Sequence, residues 1–144
     1  MKKLFIISVI SLLVVSIAHS LGFTPTTVKA LSATEFTVDG KAYVLNGLYS
    51  PSHKVVCLGV GRQEITQGVR QQASYAADYI NTLFREAKEI VIVPKGYTLT
   101  FSIKADILID GIQLFDILEG TEMVSIRDRD WCEYEKQNRS IYGI

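Results

Sequence analysis

The first regular pattern along the chain is a pair of short runs in which apolar and polar residues alternate. They cover residues 35–38 and 41–45, and Asp39-Gly40 joins them. Alternation with a period of two is typical of β-strands, and glycine readily adopts the positive φ of a two-residue turn. The pattern therefore predicts a β-hairpin. Residues 54–60 suit either a short strand or an ordered loop.

A different period follows over residues 68–87. Apolar side chains recur there every three or four residues, which places them on one face of an amphipathic helix. The members of this stripe are Val69, Ala73, Ala76, Ala77, Ile80, Leu83, Phe84 and Ala87. Because several of them are alanine, the helix can lie close against a sheet.

Two further strands are predicted after the helix. Residues 89–93 form an apolar run that Pro94 ends, and residues 98–109 alternate over a longer stretch, with Leu99 and Phe101 on the same side as Ile103. Proline lacks the N–H that a strand interior requires.

A second turn, at Asp110-Gly111, precedes a predicted short helix over residues 112–118 and a last strand over residues 122–126. The fold class is therefore α+β, mainly β with helices. About five strands with a helix inserted after the third suit a five-stranded OB-type Greek-key barrel. Composition alone allows other α+β folds.

The N-terminal residues have the pattern of a secretory signal peptide. Met1-Lys2-Lys3 precedes a predominantly apolar stretch over residues 4–18, and Ala18 and Ser20 are the small residues before a predicted cut after Ser20. The stretch is shorter than the roughly 18 residues of a membrane-spanning helix. We predict a signal peptide over 1–20, a domain over 21–126 and a C-terminal tail over 127–144. The alternative is an uncleaved anchor.

Export places the mature chain in the periplasm or outside the cell, with no stable membrane span. Residues 1–20 hold two lysines and no acidic residue, so residues 21–144 hold 13 basic and 15 acidic side chains and a formal charge of −2. Nucleic-acid-binding domains usually carry a basic surface, and this composition gives no overall basic bias. The two cysteines, Cys57 and Cys132, are predicted to form a disulfide, with two buried thiols as the alternative.

Residues 44–52 read Val-Leu-Asn-Gly-Leu-Tyr-Ser-Pro-Ser. Together with the Ala-rich helix before residues 88–93 and with residues 103–111, this segment resembles the staphylococcal nuclease (thermonuclease-like) family. The resemblance covers residues 28–124 and implies an SNase-like OB barrel. It rests on the order of the elements and on Leu45, Gly47, Leu48, Pro51, Ala105, Asp110 and Gly111.

The resemblance implies a site for phosphodiester hydrolysis, because that family uses a calcium ion held by aspartates, a glutamate that activates water and two arginines. Each role requires a charge. In this chain Val44 stands at the first arginine position, Tyr49 at a metal-binding aspartate and Ser52 at the glutamate. A further aspartate falls within residues 32–34, Ser-Ala-Thr.

The second arginine falls at Ser102 if the Asp110-Gly111 turn sets the register, and at Lys104 if the register shifts by two. Because the arginine, aspartate and glutamate positions of the site are replaced, the resemblance implies a degenerate member of the family that lacks the catalytic residues. We therefore predict no metal and no cofactor.

Several aromatic and basic residues form a possible ligand face, since OB-type barrels bind extended ligands on one strand face. The members are Lys41, Tyr43, Tyr49 and Lys104, with Tyr97 and Phe101 as further stacking residues. The alternative is that these aromatics fill the barrel. His53 follows Ser52 with no evident carboxylate to orient it, and we interpret it as a loop residue.

The resulting hypothesis is an exported, non-catalytic SNase-like binding or assembly module, a pseudoenzyme. Its partner would be a protein of the cell envelope or single-stranded nucleic acid. The alternative is a divergent, metal-dependent secreted nuclease cleaving DNA or RNA, with a calcium site rebuilt from Glu35, Asp39 or Asp106. A third hypothesis drops the resemblance and keeps a secreted α+β domain.

Overall fold

The computed structural model describes residues 22–141, so the predicted signal peptide lies outside the described residues. Within this range the chain is a mixed α+β protein with one six-stranded sheet and three helices. The strands are β1 (Val28–Ala30), β2 (Glu35–Val38), β3 (Lys41–Leu45), β4 (Ile90–Tyr97), β5 (Ile103–Ile109) and β6 (Ile112–Gln113). The helices are α1 (Arg62–Glu86), α2 (Leu114–Leu118) and α3 (Trp131–Ile141).

The sheet has the strand order β1-β2-β3-β5-β4, and β6 pairs with β5. Neighbouring strands are antiparallel except β3 and β5, which are parallel. Within the described residues, the row of hydrogen-bonded strands does not close into a barrel. Phe23, in the segment before β1, forms an isolated antiparallel bridge with Ile92 of β4, and the two residues exchange backbone hydrogen bonds of 2.9 and 2.8 Å.

The two predicted Asp-Gly turns are confirmed. Asp39 and Gly40 have φ of 50° and 79°, and Asp110 and Gly111 have φ of 50° and 81°. Positive φ at both central residues is the type I′ geometry that matches the twist of a hairpin. Each aspartate also anchors a neighbouring segment: the Asp39 carboxylate accepts the N–H groups of Thr26 and Thr27.

The predicted helix is confirmed, but α1 begins at Arg62 rather than at residue 68. The sequence pattern did not predict residues 62–67 as helical, because the apolar stripe is sparse there. Ile65 is the buried hydrophobic residue of this segment. Ile65 packs with Val69, Cys57 and Trp131 instead of with the sheet. The first turns of α1 are therefore stabilised by a contact that the local pattern does not reveal.

The prediction that Pro94 ends a strand is wrong, because β4 continues to Tyr97 with a register shift between Pro94 and Gly96. β4 lies at one end of the strand order, where proline is tolerated next to a bulge. The predicted strand over 98–109 is also too long. β5 begins at Ile103, and residues 98–102 form the turn that joins it to β4.

Smaller differences follow along the chain. Residues 54–60 form a loop. The predicted helix over 112–118 divides into β6 and α2. The predicted last strand reduces to an isolated bridge between Tyr49 and Ser125.

Buried apolar residues form two separate clusters in the described part of the chain. The larger, here called the sheet core, combines one face of the strands with the second half of α1; its most buried large members include Phe36, Ile80, Ile92, Ile107, Leu114 and Leu118. The smaller, here called the helical corner, contains Cys57, Ile65, Val69 and Trp131. It joins α1 to α3, the helix formed within the predicted C-terminal tail.

The predicted pairing of the cysteines is confirmed, since Cys57 and Cys132 form a disulfide with Cα atoms 5.7 Å apart. Gly68 permits the close packing beside it, because a Cβ at this position would collide with the Glu135 carboxylate of α3. Within residues 22–141, no helix is long and apolar enough to cross a membrane.

Candidate functional site

A cleft of about 280 Å³ lies on the outer side of the sheet where β3 meets β5. Val44 and Lys104 are register partners there, and both line the cleft. Strand alternation explains their position, because the adjacent Tyr43, Leu45 and Ala105 point into the sheet core. The register therefore places Lys104, rather than Ser102, beside Val44.

Hydroxyl groups form one wall of this cleft. Thr34 Oγ1 lies 2.6 Å from Ser50 Oγ, and Ser32 Oγ lies 3.4 Å from the same atom. Ser32 Oγ also accepts the backbone N–H groups of Thr34 and Glu35. These side chains occupy the region where the resemblance implies a calcium-binding aspartate. Neutral hydroxyls can orient a ligand, but they do not supply the negative charge that a hard divalent cation favours.

Glu35 organises a second group of side chains after β3. Its Oε2 accepts a hydrogen bond from Ser52 Oγ at 3.2 Å, and its Oε1 accepts one from the His53 N–H at 3.3 Å. His53 Nδ1 lies 3.3 Å from Oε2, close enough for an ion pair, but without a well-aligned hydrogen bond. His53 therefore has the carboxylate neighbour that the sequence did not reveal.

This trio does not have the geometry of a nucleophilic triad. In such a triad the histidine takes the proton of the serine and the carboxylate orients the histidine. Here Ser52 donates directly to Glu35. We interpret the trio as a structural clasp that holds the 50–53 loop against the start of β2.

The proposed ligand face is divided by the fold. Tyr49, 46% exposed, lines the cleft with Lys104, whereas Lys41 is exposed at the β2–β3 turn and does not line it. Tyr43 is buried, and its ring meets the ring of Phe23 edge-on at 6.5 Å between centroids. The assignment of Tyr43 to a ligand face is therefore corrected, because its side chain belongs to the interior.

Tyr43 also has a perturbed acidity. Burial raises the pKa of Tyr43 above its ordinary value, and the nearby Asp39 carboxylate and Tyr97 hydroxyl raise that pKa further. The burial of Tyr43 and its ring contact with Phe23 identify it as a packing residue of the sheet core.

The three acidic residues proposed for a rebuilt metal site have separate partners. The Asp39 carboxylate caps Thr26 and Thr27. Asp106 contacts Lys95 at 3.5 Å and Asn46 at 3.4 Å. Glu35 binds the clasp described above. Over residues 22–141, no three His, Cys, Asp or Glu side chains are grouped so that they could hold one metal ion.

Ser102 lies in the turn between β4 and β5, where its N–H donates to Thr98 Oγ1 at 3.1 Å. The same turn exposes Tyr97, Leu99 and Phe101 to solvent. The sequence placed Leu99 and Phe101 on the same side of a strand as Ile103, with Tyr97 and Phe101 as candidate stacking residues, and it did not predict the exposed turn that carries them.

Comparison with models of known protein families gives no match for this chain. Comparison with curated proteins gives no match either. The resemblance to the staphylococcal nuclease family therefore stays a prediction from the sequence.

Proposed function

We propose that the chain is an exported, non-catalytic binding or assembly module on an OB-type Greek-key scaffold that resembles the staphylococcal nuclease family. The strand order β1-β2-β3-β5-β4, with α1 between β3 and β4, supports this proposal. The isolated bridge that joins the segment before β1 to β4, between Phe23 and Ile92, also supports it.

The observation that carries the proposal is the chemistry of the β3–β5 cleft. Its lining presents Val44, Tyr49 and the Thr34–Ser50 hydroxyl pair where the resemblance implies charged catalytic groups. Phosphodiester hydrolysis requires stabilisation of a developing anion, and removal of one such donor commonly costs about a hundredfold in rate. Lys104 is the charged residue of the cleft lining. A cleft of this kind suits ligand binding better than hydrolysis.

The alternative, a nuclease with a rebuilt metal site, would require Glu35, Asp39 and Asp106 to leave their present partners and converge. A bound ion would then stabilise the fold by about 2.7 kcal/mol at a hundred times its dissociation constant. We expect calcium and manganese to leave the unfolding midpoint unchanged. A clear metal-dependent rise would favour the nuclease.

The direct test follows the fluorescence anisotropy of a labelled single-stranded oligonucleotide mixed with residues 21–144 and calcium. We expect no time-dependent fall in anisotropy. A fall that a chelator abolishes would overturn the proposal.

A saturable rise without cleavage would identify nucleic acid as the ligand. The matched variants Lys104→Ala and Lys136→Ala, one in the cleft and one on the exposed side of α3, would then show whether the cleft is the binding surface.

The proposed site of action is the periplasm or the exterior of the cell. The Cys57–Cys132 disulfide supports it, because disulfides persist in oxidising compartments. Mass analysis of the protein isolated from such a compartment should find Leu21 at the N-terminus and no thiol that alkylates without reduction. An intact Met1 in a soluble cytosolic fraction would contradict this part of the proposal.

A further inference from the structure

Three exposed apolar side chains are concentrated on the turn between β4 and β5. Tyr97 is 72% exposed, Leu99 101% and Phe101 87%. Removing large apolar side chains from water is favourable, so their concentration on one protruding turn indicates a surface that becomes covered. This surface, formed by residues 97–101, is here called the apolar turn.

The apolar turn has a defined conformation. The Thr98 N–H donates to the Ser102 carbonyl at 2.8 Å, and the Phe101 N–H donates to the Thr98 carbonyl at 3.1 Å. Phe101 has φ of 64°, a left-handed conformation that glycine adopts without strain and that bulky residues avoid. Its ring lies outside both hydrophobic clusters. Folding alone would favour glycine at this position, so the phenylalanine requires another explanation.

The first described residues also lie at this end of the sheet. Phe23 pairs antiparallel with Ile92, so Gly22 lies on the side of that bridge toward the end of β4 that carries the apolar turn.

Basic side chains surround this end of the sheet. Lys95 and Lys104 lie on the strands that flank the turn, and Lys41 begins β3, whose residue Tyr43 is in register with Ile103. The nearby carboxylates are Asp39, in the turn before Lys41, Asp106, which pairs with Lys95 at 3.5 Å, and Glu35, which lies across β3 from Lys104. Among the described residues no carboxylate forms an ion pair with Lys41 or Lys104, and lysine stems extend readily to the level of lipid headgroups.

We propose that the apolar turn inserts into the interface of a lipid bilayer that carries anionic lipids. Leu99 and Phe101 form the inserted wedge, and Lys41, Lys95 and Lys104 contact the headgroups. A protein interface of ordinary stability buries about 800 Å² on each partner, which is more than a five-residue turn provides. Lipid surrounds a protruding wedge on all sides, so a small apolar surface is enough. The inference rests on the proposed export, and it does not depend on the loss of catalysis.

The test measures co-sedimentation of residues 21–144 with vesicles of phosphatidylglycerol and phosphatidylethanolamine. This chain retains both hydrophobic clusters and both cysteines, and a cooperative thermal transition would verify its fold. We expect saturable binding that weakens with added salt and with vesicles of phosphatidylcholine alone. Absence of binding to the anionic vesicles would overturn the proposal, and so would capture by a protein that depends on the turn without any vesicle binding.

Matched double variants locate the surface. Leu99→Ser with Phe101→Ser should lower the vesicle partition coefficient about tenfold or more, because both wedge side chains are lost. Leu58→Ser with Val60→Ser removes two equally exposed apolar side chains from the loop before α1 and should leave binding unchanged. Equal binding by the turn variant, or equal loss in both variants, would refute insertion at residues 97–101.

A spectroscopic readout distinguishes insertion from adsorption. The chain has one tryptophan, Trp131, which is buried in the helical corner and gives a constant background. A Phe101→Trp variant should show a blue shift of its emission when the anionic vesicles are added, whereas Leu58→Trp should not. An unshifted Phe101→Trp spectrum under conditions of full binding would contradict insertion. The nuclease assay above is independent of all these outcomes.

Discussion

The sheet core and the helical corner are stabilised in different ways. Within residues 22–141 the sheet core contains eighteen buried apolar residues from the strands, α1, α2 and the connecting loops, whereas the helical corner contains four. The corner compensates with the Cys57–Cys132 disulfide and with polar contacts, among them the 2.9 Å pair of Arg139 with Glu135. Burial of apolar area therefore stabilises the sheet core, whereas the covalent disulfide stabilises the helical corner.

The largest expected effect comes from removing the cross-link. The disulfide closes a loop over 75 positions, and the chain-entropy model gives roughly 4 kcal/mol for a loop of this length. We expect Cys57→Ala with Cys132→Ala to lower the free energy of urea unfolding by about this amount and to release α3 from α1. Reduction of the unaltered protein should reproduce the effect. A loss below about 1 kcal/mol would mean that packing alone holds the helical corner.

A cavity in the sheet core should have the next largest effect. Ile80 is fully buried between α1 and the strands, and truncation of such a residue to alanine costs about 3 kcal/mol. Ile126→Ala is the matched control, because Ile126 is exposed and its loss should stay within about 0.5 kcal/mol. Chemical denaturation of both variants gives the comparison. Similar losses in the two variants would contradict the placement of the core.

The cation–π contacts of the helical corner should contribute less. The Arg129 guanidinium carbon lies 5.1 Å from the Trp131 ring centre and 4.7 Å from the Tyr134 ring centre. Such contacts are worth about 1 kcal/mol at partly exposed sites. Arg129→Ala should show this loss in thermal or urea unfolding, while Arg127→Ala, with no such contact, should not. If Arg127→Ala costs as much, general electrostatics explains the effect.

The smallest expected effect is a pH dependence of the stability that arises in the sheet core, at Tyr43. Because the pKa of Tyr43 is raised in the folded state, the unfolded chain loses this proton first as the pH rises. The stability contribution is therefore fully present below the ordinary tyrosine pKa, about 10, and is lost as the pH rises above it. Tyr43→Phe should unfold like the unaltered protein at neutral pH and should lose less stability at alkaline pH. An unchanged alkaline profile would assign the sensitivity to other tyrosines.

Local chemistry explains which elements were predictable. The Asp39-Gly40 and Asp110-Gly111 turns depend on two residues whose backbone preference is visible in the sequence. The stripe from Val69 to Phe84 was equally visible, because the helix has a continuous apolar face over this range. The disulfide was predictable because the predicted signal peptide and the even pair of cysteines both favour it.

The missed features depend on contacts between distant segments. Glu35 and His53 meet because the loop after β3 returns to the start of β2, a path that no local pattern records. Leu99 and Phe101 alternate with threonines in the same way as strand residues, although they belong to an exposed turn. The cleft itself depends on the parallel pairing of β3 with β5, which the alternation of either strand cannot predict.

This parallel pairing has a consequence for the order of folding. Its partners are far apart in the chain, as Asn46 and Asp106 are at a separation of 60 positions. The β2–β3 hairpin needs only neighbouring residues, but the second edge of β3 stays unpaired until β5 is available to pair with it. An unpaired strand edge is a template for aggregation. The folding chain therefore passes through an interval in which the exposed edge of β3 favours aggregation, and the interval ends when α1 and β5 pack against the hairpin.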